Sequence, residues 1–407
     1  MAETPAREPR VSARPGPRAF AVGAVALAAI IAVGLAWPAA EQGRGGPPLV
    51  VTGWAPYWQP DASLASFTAN ADLFADVSVV AYSATGVTTI TRYPALTDEI
   101  VATFRDGADA ASVPLIATIF DDSPAGTMAA ILADPTARAE HVETIRQLVD
   151  AGGFDGVDLD YESFAFDDGR ETWTTTRPNW ISFLGELDLA LRLTDPALQL
   201  IVSVPPVYDA ERTDDSGYWV YDPAAMAPLV DRIRVMAYDY STPGSAPGPI
   251  APIEWVRGLV SAMTDLVPPD KLDLGIPVYG YDWVIGVTGV CPADQLPDNE
   301  VISLARATRL VAERGLTPVW DTASAEAVVD YVDTLTGTDS AGTAVTCTVS
   351  RTVRYLDGRA VQVRAGVANR ADLHGVALWA LGYDDDTAWQ AIRSARAGND
   401  VVPSSAP

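Results

Sequence analysis

Three acidic residues recur at every second position of residues 154–162, whose sequence is FDGVDLDYE. Successive side chains of a β-strand point to opposite faces, so a strand would place Asp158, Asp160 and Glu162 on the same face. The opposite face is apolar and suits packing against a helix; it carries Val157, Leu159 and Tyr161. The pattern therefore predicts a strand with one packing face and one wholly acidic face, which no ordinary core strand has.

The spacing of these acids has an electrostatic consequence. Neighbouring carboxylates on one strand face lie about 7 Å apart, and two full charges at that distance repel by about 2 kcal/mol at an effective dielectric near 20. Like-charge neighbours and partial burial raise the pKa of a carboxyl group. We expect at least one of the three to keep its proton near neutral pH and to serve as a general acid.

Two other interpretations of the acids are a solvated edge strand and a metal site. Calcium loops carry a glycine inside a short run of ligands, whereas Gly152 and Gly153 precede this segment and are typical of a helix end before a strand. The histidines, His141 and His374, have no Cys or His at ligand spacing. We therefore predict neither a metal nor a cofactor.

Short apolar runs typical of β-strands alternate with helical stretches through most of the chain. This alternation is the signature of a parallel α/β fold, and eight runs indicate a closed (β/α)₈ TIM barrel with its chemistry at the carboxyl ends of the strands. The runs cover residues 49–54, 77–82, 113–120, 156–161, 200–205, 233–238, 272–279 and 376–381. Helices are predicted at residues 135–151, 179–193, 223–231 and 253–266. The barrel domain is expected to span residues 49–390.

The interval between the seventh and eighth strands is too long for one helix. It predicts an inserted α+β lobe at about residues 284–370, which contains both cysteines of the chain, Cys291 and Cys347. In an exported protein the expected state of such a pair is one disulfide. Residues 391–407 are predicted to be a disordered tail.

The charge distribution argues against a nucleic-acid partner. The chain carries a net charge of −26, although residues 1–40 hold four arginines and only two acids. The rest of the chain is therefore still more acidic, which opposes binding to a polyanion. An uncharged sugar polymer remains compatible with such a surface.

The amino-terminal segment is predicted to meet a membrane. A basic leader at residues 1–18 precedes an apolar run at residues 19–37, and a Gly/Pro-rich linker occupies residues 38–48. As a helix the run would span about 28 Å, which is close to the thickness of the hydrocarbon layer. Basic residues before the run place the leader inside and the body outside. The run is either an uncleaved anchor or a signal segment, and both predict an extracytoplasmic body.

Aromatic residues cluster where the predicted strands end. Flat rings stack on sugar faces, while acids and phenols bond hydroxyls and amides, so this grouping indicates a carbohydrate cleft. The candidates for substrate binding from this pattern are Trp54, Tyr57, Tyr281, Trp283 and Trp379.

The same residues resemble the glycoside hydrolase family 18, the chitinase family. Residues 155–162, DGVDLDYE, match its Asp-Gly-x-Asp-x-Asp-x-Glu motif in full, and residues 236–239, MAYD, match the Met-x-Tyr-Asp of its sixth strand. Trp379 corresponds to the tryptophan of its eighth strand. Residues 275–283, GIPVYGYDW, resemble the branch that contains bacterial spore-wall and peptidoglycan hydrolases. One departure is that residues 116–120, IATIF, lack the Ser-x-Gly-Gly often seen in chitinases, which favours soluble or wall-derived substrates.

The resemblance implies substrate-assisted catalysis, in which the N-acetyl group of the substrate is the nucleophile. Glu162 would be the acid and then the base, Asp160 would orient the acetamido group, and Asp158 would share a proton with Asp160. The remaining implied contacts are to the acetamido group and the sugar that carries it, from Tyr238, Asp239, Met236 and Trp379.

These inferences predict a retaining hydrolase that acts next to N-acetylglucosamine in chitin oligomers or peptidoglycan. The chain is expected to be a monomer. Two alternatives are a lectin-like protein that binds such polymers without cleaving them and an endo-N-acetylglucosaminidase that acts on N-glycans. Members of the first kind typically lose the motif glutamate, and Glu162 is present.

Overall fold

The computed structural model describes residues 48–213 and 216–399. In these residues there are fourteen strands and eleven α-helices. The strands are β1 Val50–Pro56, β2 Val77–Ala84, β3 Ile90–Arg92, β4 Leu115–Asp121, β5 Gly156–Asp160, β6 Gln199–Val204, β7 Arg232–Val235, β8 Leu272–Pro277, β9 Tyr279–Gly289, β10 Glu300–Ser303, β11 Val319–Asp321, β12 Glu326–Thr338, β13 Ala344–Tyr355 and β14 Gly375–Trp379. The helices are α1 Pro60–Ala69, α2 Asp98–Ala111, α3 Thr127–Ala133, α4 Pro135–Gly152, α5 Ser163–Phe166, α6 Trp173–Thr194, α7 Pro223–Met226, α8 Ile253–Leu266, α9 Leu304–Arg314, α10 Gly358–Arg370 and α11 Asp386–Arg396.

Eight parallel strands close into a barrel, as the sequence predicts. The neighbours run in the order β1, β14, β8, β7, β6, β5, β4 and β2, and β1 also pairs with β2 to complete the ring. The short β3 pairs antiparallel with β2 outside the ring. The carboxyl ends of all eight strands therefore meet at one mouth of the barrel, which is where this fold carries its chemistry.

The helix predictions hold for the longer helices and differ at two places. The predicted helix at residues 223–231 is only the single turn α7, and α6 begins at Trp173 rather than at residue 179. Pro178 lies inside the second turn of α6. Proline is most favourable at the first position of a helix, which is why the sequence pattern starts this helix at residue 179. In the structure the helix begins earlier and Pro178 lies within it.

The inserted lobe is a five-stranded antiparallel sheet in the order β10, β9, β13, β12 and β11, with α9 on it. Its strands run from Tyr279 to Tyr355, so the sheet begins before residue 284 and ends well before residue 370. Residues 358–370, which the sequence placed in the lobe, form α10 and pack on β8, β14 and α11 of the barrel. The paired strands β12 and β13 are mostly buried where β12 begins and β13 ends and more exposed toward the turn that joins them, whereas α10 is buried almost throughout.

The predicted disordered tail is wrong for its first residues. Residues 391–396 belong to α11, whose Ile392 and Ala395 are fully buried. The helix is capped at its start by the Asp385 carboxylate, which accepts from the amides of Thr387 and Ala388. The end of that tail, residues 400–407, lies outside the described residues.

The predicted leader, the apolar run at residues 19–37 and the linker up to residue 47 also lie outside the described residues. Among the helices of the described ranges, none is both long and apolar enough to cross a bilayer.

Candidate active site

Strand β5 places the acidic motif at the mouth of the barrel, with its two faces as predicted. Val157, Leu159 and Tyr161 are fully buried on the side of the covering helices. The Tyr161 ring lies against Phe183 of α6, and its hydroxyl is 2.8 Å from His141 Nε2 of α4. This packing fixes the strand from outside, so that its acidic side chains point inward and upward from the barrel.

Asp158 lies deepest and is fully buried. One carboxylate oxygen accepts hydrogen bonds from the Trp54 indole at 2.8 Å and from Thr118 at 3.1 Å. The same oxygen accepts from Arg234 Nη1 at 2.9 Å, and the other accepts from Ser203 at 2.8 Å. These four contacts each bring a donor to the carboxylate. The sharing of a proton between Asp158 and Asp160 stays a prediction.

Tyr238 links the motif to the sixth barrel strand. Burial raises the pKa of its phenol well above the ordinary value. Four nearby carboxylates raise this pKa further, in the order Asp160, Asp239, Glu162 and Asp158. The structure therefore places the four predicted acids within electrostatic reach of one phenol. Glu162 lies two residues after the end of β5 and is partly exposed at the barrel mouth, while Asp160 is 5% exposed.

Asp239 follows Tyr238 with a left-handed backbone, at a φ of 58°. Its Oδ1 accepts hydrogen bonds from the hydroxyls of Tyr279 and Tyr281, the second at 2.5 Å. The residue opens to solvent through the cleft, yet its carboxyl group is surrounded by protein. This burial raises the pKa of Asp239 even though the two hydroxyls lower it. The sequence analysis does not select Tyr279 as a site residue, because this residue ends the predicted strand at residues 272–279.

Aromatic rings line the cleft around Trp379, which is partly exposed. The Trp379 ring centroid lies 6.1 Å from that of Trp58 and 6.4 Å from that of Phe120. Nearby, Tyr57 is partly exposed and stacks on Tyr93 with centroids 3.9 Å apart. Trp379 at the end of β14 and Tyr57 just after β1 are thus both partly exposed, and their role in substrate binding stays a prediction. Phe120 and Tyr93 do not stand out in the sequence, because each is a single aromatic residue in an otherwise ordinary segment.

Two predicted substrate contacts are corrected by their burial. Trp54 is fully buried and packs edge-on beneath Trp379, with centroids 5.6 Å apart. Trp283 is 1% exposed and donates to the Thr242 carbonyl at 3.2 Å. Neither ring presents a face to the cleft, so both support it from behind. Tyr281 is 3% exposed and reaches the site through its bond to Asp239, while Met236 is partly exposed in the pocket.

Asp121 is a buried acid of this region that the sequence analysis missed. It ends β4, and its Oδ1 accepts from the Ser123 hydroxyl at 2.5 Å, while its Oδ2 accepts from Ser163. Burial raises the pKa of Asp121, and these hydroxyls oppose the rise. Because Ser163 is next to Glu162, Asp121 tethers the turn that carries the predicted acid. The sequence signal that could have identified Asp121 is an acidic residue directly after the predicted strand at residues 113–120.

The cysteine prediction is confirmed. Cys291 and Cys347 form a disulfide with a Cα–Cα distance of 4.8 Å, which joins the segment after β9 to β13. As for metals, no group of three His, Cys, Asp or Glu side chains in the described ranges is arranged to hold an ion.

Known proteins resemble this chain in sequence and in fold. The model of the family Glycosyl hydrolases family 18 matches residues 122–384. The putative sporulation-specific glycosylase YdhD of Bacillus subtilis is 35% identical over 157 residues, which cover 38% of this chain and 34% of that protein. The cortical fragment-lytic enzyme of Bacillus anthracis is 23% identical over 64% of this chain and 54% of its own length. This chain thus spans about a third of the first relative and about half of the second.

A solved structure shows the same fold. The family 18 chitinase of Cycas revoluta in complex with (GlcNAc)4 superposes with a TM-score of 0.64 at 20% identity, covering 86% of this chain and 99% of its own. The family match covers more than half of the chain and includes the acidic motif that the geometry places at the barrel mouth. The chain belongs to glycosyl hydrolases family 18.

Proposed function

We propose that this chain is a retaining hydrolase that cleaves β-1,4 linkages next to N-acetylglucosamine by substrate-assisted catalysis. The observation that supports the proposal is that Glu162, Asp160 and Asp239 all lie within electrostatic reach of the Tyr238 phenol at the carboxyl ends of the barrel strands. A carboxyl that gives a proton and a second that holds an amide N–H are the two groups this mechanism needs.

In the first step Glu162 gives its proton to the glycosidic oxygen. The bond between that oxygen and the anomeric carbon breaks, and the acetamido oxygen of the same sugar bonds to the anomeric carbon, which gives an oxazolinium ion. Asp160 accepts a hydrogen bond from the acetamido N–H and stabilises the positive charge. The Tyr238 hydroxyl donates to the acetamido oxygen, which orients it for attack.

In the second step a water molecule attacks the anomeric carbon, and the Glu162 carboxylate takes its proton. The carbon–oxygen bond of the oxazolinium ring breaks and the acetamido group is restored. Two displacements leave the configuration of the anomeric carbon unchanged. Trp379 provides the floor for this sugar, Met236 lines the pocket, and Tyr57 lies further along the same wall.

The deeper residues support this chemistry without touching the sugar. Asp158 lies below Asp160, where Trp54, Arg234 and Ser203 hold its carboxyl group in one orientation. Polar groups fixed in this way are preorganised for the charge that develops on the sugar. Asp239 lies beside Tyr238, with its orientation set by Tyr279 and Tyr281.

Chitin oligomers and peptidoglycan glycan are the proposed substrates. The names of the Bacillus relatives refer to sporulation and to cortical fragments, and the Cycas chitinase binds (GlcNAc)4. These glycans share the N-acetylglucosamine unit on which the mechanism depends. A product profile from chitotetraose, purified sacculi and a glycoprotein, measured side by side, separates these substrates from N-glycans.

We also propose that the domain works outside the cytoplasm, either anchored by residues 19–37 or secreted. A structural disulfide is favoured in an oxidising compartment, and the acidic body follows a basic leader and an apolar run. Digestion of intact cells by an added protease should degrade an anchored domain. Recovery of the domain in the medium indicates secretion, and protection inside intact cells contradicts both forms.

The direct test of the catalytic assignment is Glu162→Gln, which removes the acid and keeps the size of the side chain. We expect kcat on chitotetraose to fall by a factor of roughly 10³ or more, since both steps lose their proton transfer. The folded state should be unchanged by circular dichroism. Turnover within tenfold of the wild-type value would show that another group is the acid.

A further inference from the structure

Glu162 lies outside the strand that carries the other two acids of its motif. Strand β5 ends at Asp160, and Glu162 has φ and ψ angles of −116° and −17°, which are helical rather than extended. The alternation of side chains along a strand therefore stops before Glu162 is reached. The direction of the proposed acid depends instead on what holds the turn at residues 161–163.

Two contacts hold this turn, one on each side of Glu162. The Tyr221 hydroxyl donates to the Tyr161 carbonyl at 2.6 Å. On the other side, the hydroxyl and the backbone amide of Ser163 donate to the Asp121 carboxylate. Asp121 ends β4 and Tyr221 lies in the segment after β6, and these two strands are the neighbours of β5 in the barrel. The turn is therefore fixed from both neighbouring strands.

Both oxygens of Asp121 accept hydrogen bonds. Oδ1 accepts from the Ser123 hydroxyl at 2.5 Å and from the Ser123 amide at 3.1 Å, while Oδ2 accepts from the Ser163 hydroxyl. An ionised carboxylate can accept at both oxygens, whereas a protonated one gives part of this capacity to its own O–H. The full set of contacts therefore requires an ionised Asp121, although the residue is only 2% exposed.

Asp121 shares its electrostatic environment with the motif acids. Burial raises the pKa of Asp121, and its serine donors oppose the rise. Two buried phenols face it. Burial raises the pKa of Tyr161 well above the ordinary value, and Asp121 raises it further. Burial likewise raises the pKa of Tyr221, and Glu162, Asp160 and Asp121 add to this rise in that order. The charge of Asp121 is thus felt by the same phenol as that of the proposed acid.

We propose that Asp121 is a positioning residue for the reaction: its ionised carboxylate holds Ser163 and thereby orients the Glu162 side chain toward the glycosidic oxygen. This inference rests on the proposed function and adds a residue that acts through Glu162 without touching the sugar. A displacement near 1 Å at a catalytic group costs about 100-fold in rate. Since the contacts require the ionised form, catalysis should weaken as Asp121 takes up a proton.

The first test compares two serine variants, each of which removes one hydroxyl from the same carboxylate. Ser163→Ala loosens the turn beside Glu162, and we expect kcat on chitotetraose to fall roughly tenfold while KM stays within twofold. Ser123→Ala is the matched control, because Ser123 lies two residues after Asp121 and outside the turn of the acid. Its kcat should change by less than twofold. Equal effects of the two variants would contradict the proposal.

Asp121→Asn tests the carboxylate itself. Asparagine keeps the size of the side chain but has only one acceptor oxygen, so kcat should fall roughly 100-fold with KM within twofold. In a double-mutant cycle, adding Ser163→Ala to Asp121→Asn should lower kcat by less than threefold more, because both changes break the same contact. Losses that multiply would show that Asp121 affects catalysis by another route.

The pH dependence separates positioning from folding. At each pH the kcat of the wild type is divided by that of Asp121→Asn, so that the titration of acids common to both proteins cancels. Asp121 loses its charge as the pH falls through its raised pKa, and the wild type then resembles the variant. We expect the ratio to be largest near pH 7 and to decrease in acid. A ratio that stays constant with pH would contradict a role for the Asp121 charge.

The same assays distinguish this inference from the proposed function. If the wild type cleaves chitotetraose and both Ser163→Ala and Asp121→Asn keep its kcat, the role of Asp121 is wrong and the proposed function stands. A wild-type protein that cleaves neither chitotetraose nor sacculi contradicts the proposed function, and the role of Asp121 with it. Both variants should keep the circular dichroism spectrum of the wild type.

Discussion

Arg234 and Asp158 form an ion pair inside the barrel, with Nη1 and Oδ2 2.9 Å apart and both side chains fully buried. The guanidinium also pairs with Asp76, donates to Ser78 and lies 5.1 Å from the centre of the Trp54 ring. A planar guanidinium can bridge two carboxylates in this way because its donors form a fixed fork. Arg234 therefore compensates the charge on which the proposed site is built.

Replacing Arg234 by Met should destabilise the fold severely. It leaves Asp158 buried without a counter-charge and leaves Asp76 paired with Arg232 alone, which costs about 3–5 kcal/mol of unfolding free energy. Urea unfolding measures this loss. The matched control is Arg306→Met, which breaks an exposed pair with Glu300 at 3.1 Å and should cost less than about 1 kcal/mol. Similar losses in the two variants would mean that the buried pair contributes little.

Trp54→Phe separates support from substrate contact. The variant keeps a ring beneath Trp379 but loses the hydrogen bond to Asp158, which should cost about 2 kcal/mol of unfolding free energy because the acceptor is charged. In steady-state assays with chitotetraose we expect kcat to fall while KM stays within twofold. Trp379→Ala should raise KM instead. A rise in KM for Trp54→Phe would contradict the supporting role and would indicate that Trp54 contacts the substrate.

Gly275→Ala tests the placement of Tyr238. A Cβ on Gly275 would lie 2.5 Å from the Val235 carbonyl oxygen and 3.0 Å from Cε1 of the Tyr238 ring. The ring must shift, and a displacement near 1 Å at a catalytic group costs about 100-fold in kcat. Gly258→Ala is the control, since a Cβ there meets nothing within 4 Å. Unchanged turnover of Gly275→Ala would show that the Tyr238 position is not critical.

His141 should make the fold sensitive to mild acid. Its Nδ1–H donates to the Val87 carbonyl at 2.8 Å, its Nε2 accepts from Tyr161, and burial lowers the pKa of His141 despite the carbonyl. The unfolded chain therefore takes up a proton near pH 6.5 that the folded protein resists. The contribution of His141 to the free energy of unfolding is fully present above that pH. It is lost as the pH falls toward the lower pKa of the folded state.

Urea unfolding at pH 7.5 and 5.5 measures this effect. One proton gives a slope of up to about 1.4 kcal/mol per pH unit. The His141→Gln variant should lose this contribution and show a flatter dependence on pH than the wild type. Parallel curves for the two proteins would show that His141 does not control acid stability.

The sequence predicts the barrel and the acidic strand well because both depend on periodicity within short segments. The alternation in residues 157–162 determines which side chains face the helices, whatever the rest of the chain does. Burial of a single aromatic is different, since it depends on which loop covers it. Trp54 and Trp379 both stand near the carboxyl ends of barrel strands, yet only Trp379 reaches the cleft.

The buried charges were missed although a signal was present. Residues 232–234 read Arg-Ile-Arg at the start of the predicted strand at residues 233–238, which Arg232 directly precedes, and alternation places both arginines toward the barrel interior. Their partners, Asp76 and Asp273, come from strands far apart in the chain and meet the arginines only in the closed ring. Burial alone would raise the pKa of Asp273, but His374 and the two arginines outweigh it and lower that pKa. Such pairings require three-dimensional information.

The most direct test of the central claim is the anomeric configuration of the first sugar released from chitotetraose, followed by ¹H NMR at early times. Attack by the acetamido group beside Glu162 and Asp160 predicts that the new reducing end appears first as the β-anomer and then mutarotates. A first product in the α configuration would contradict substrate-assisted catalysis at this site.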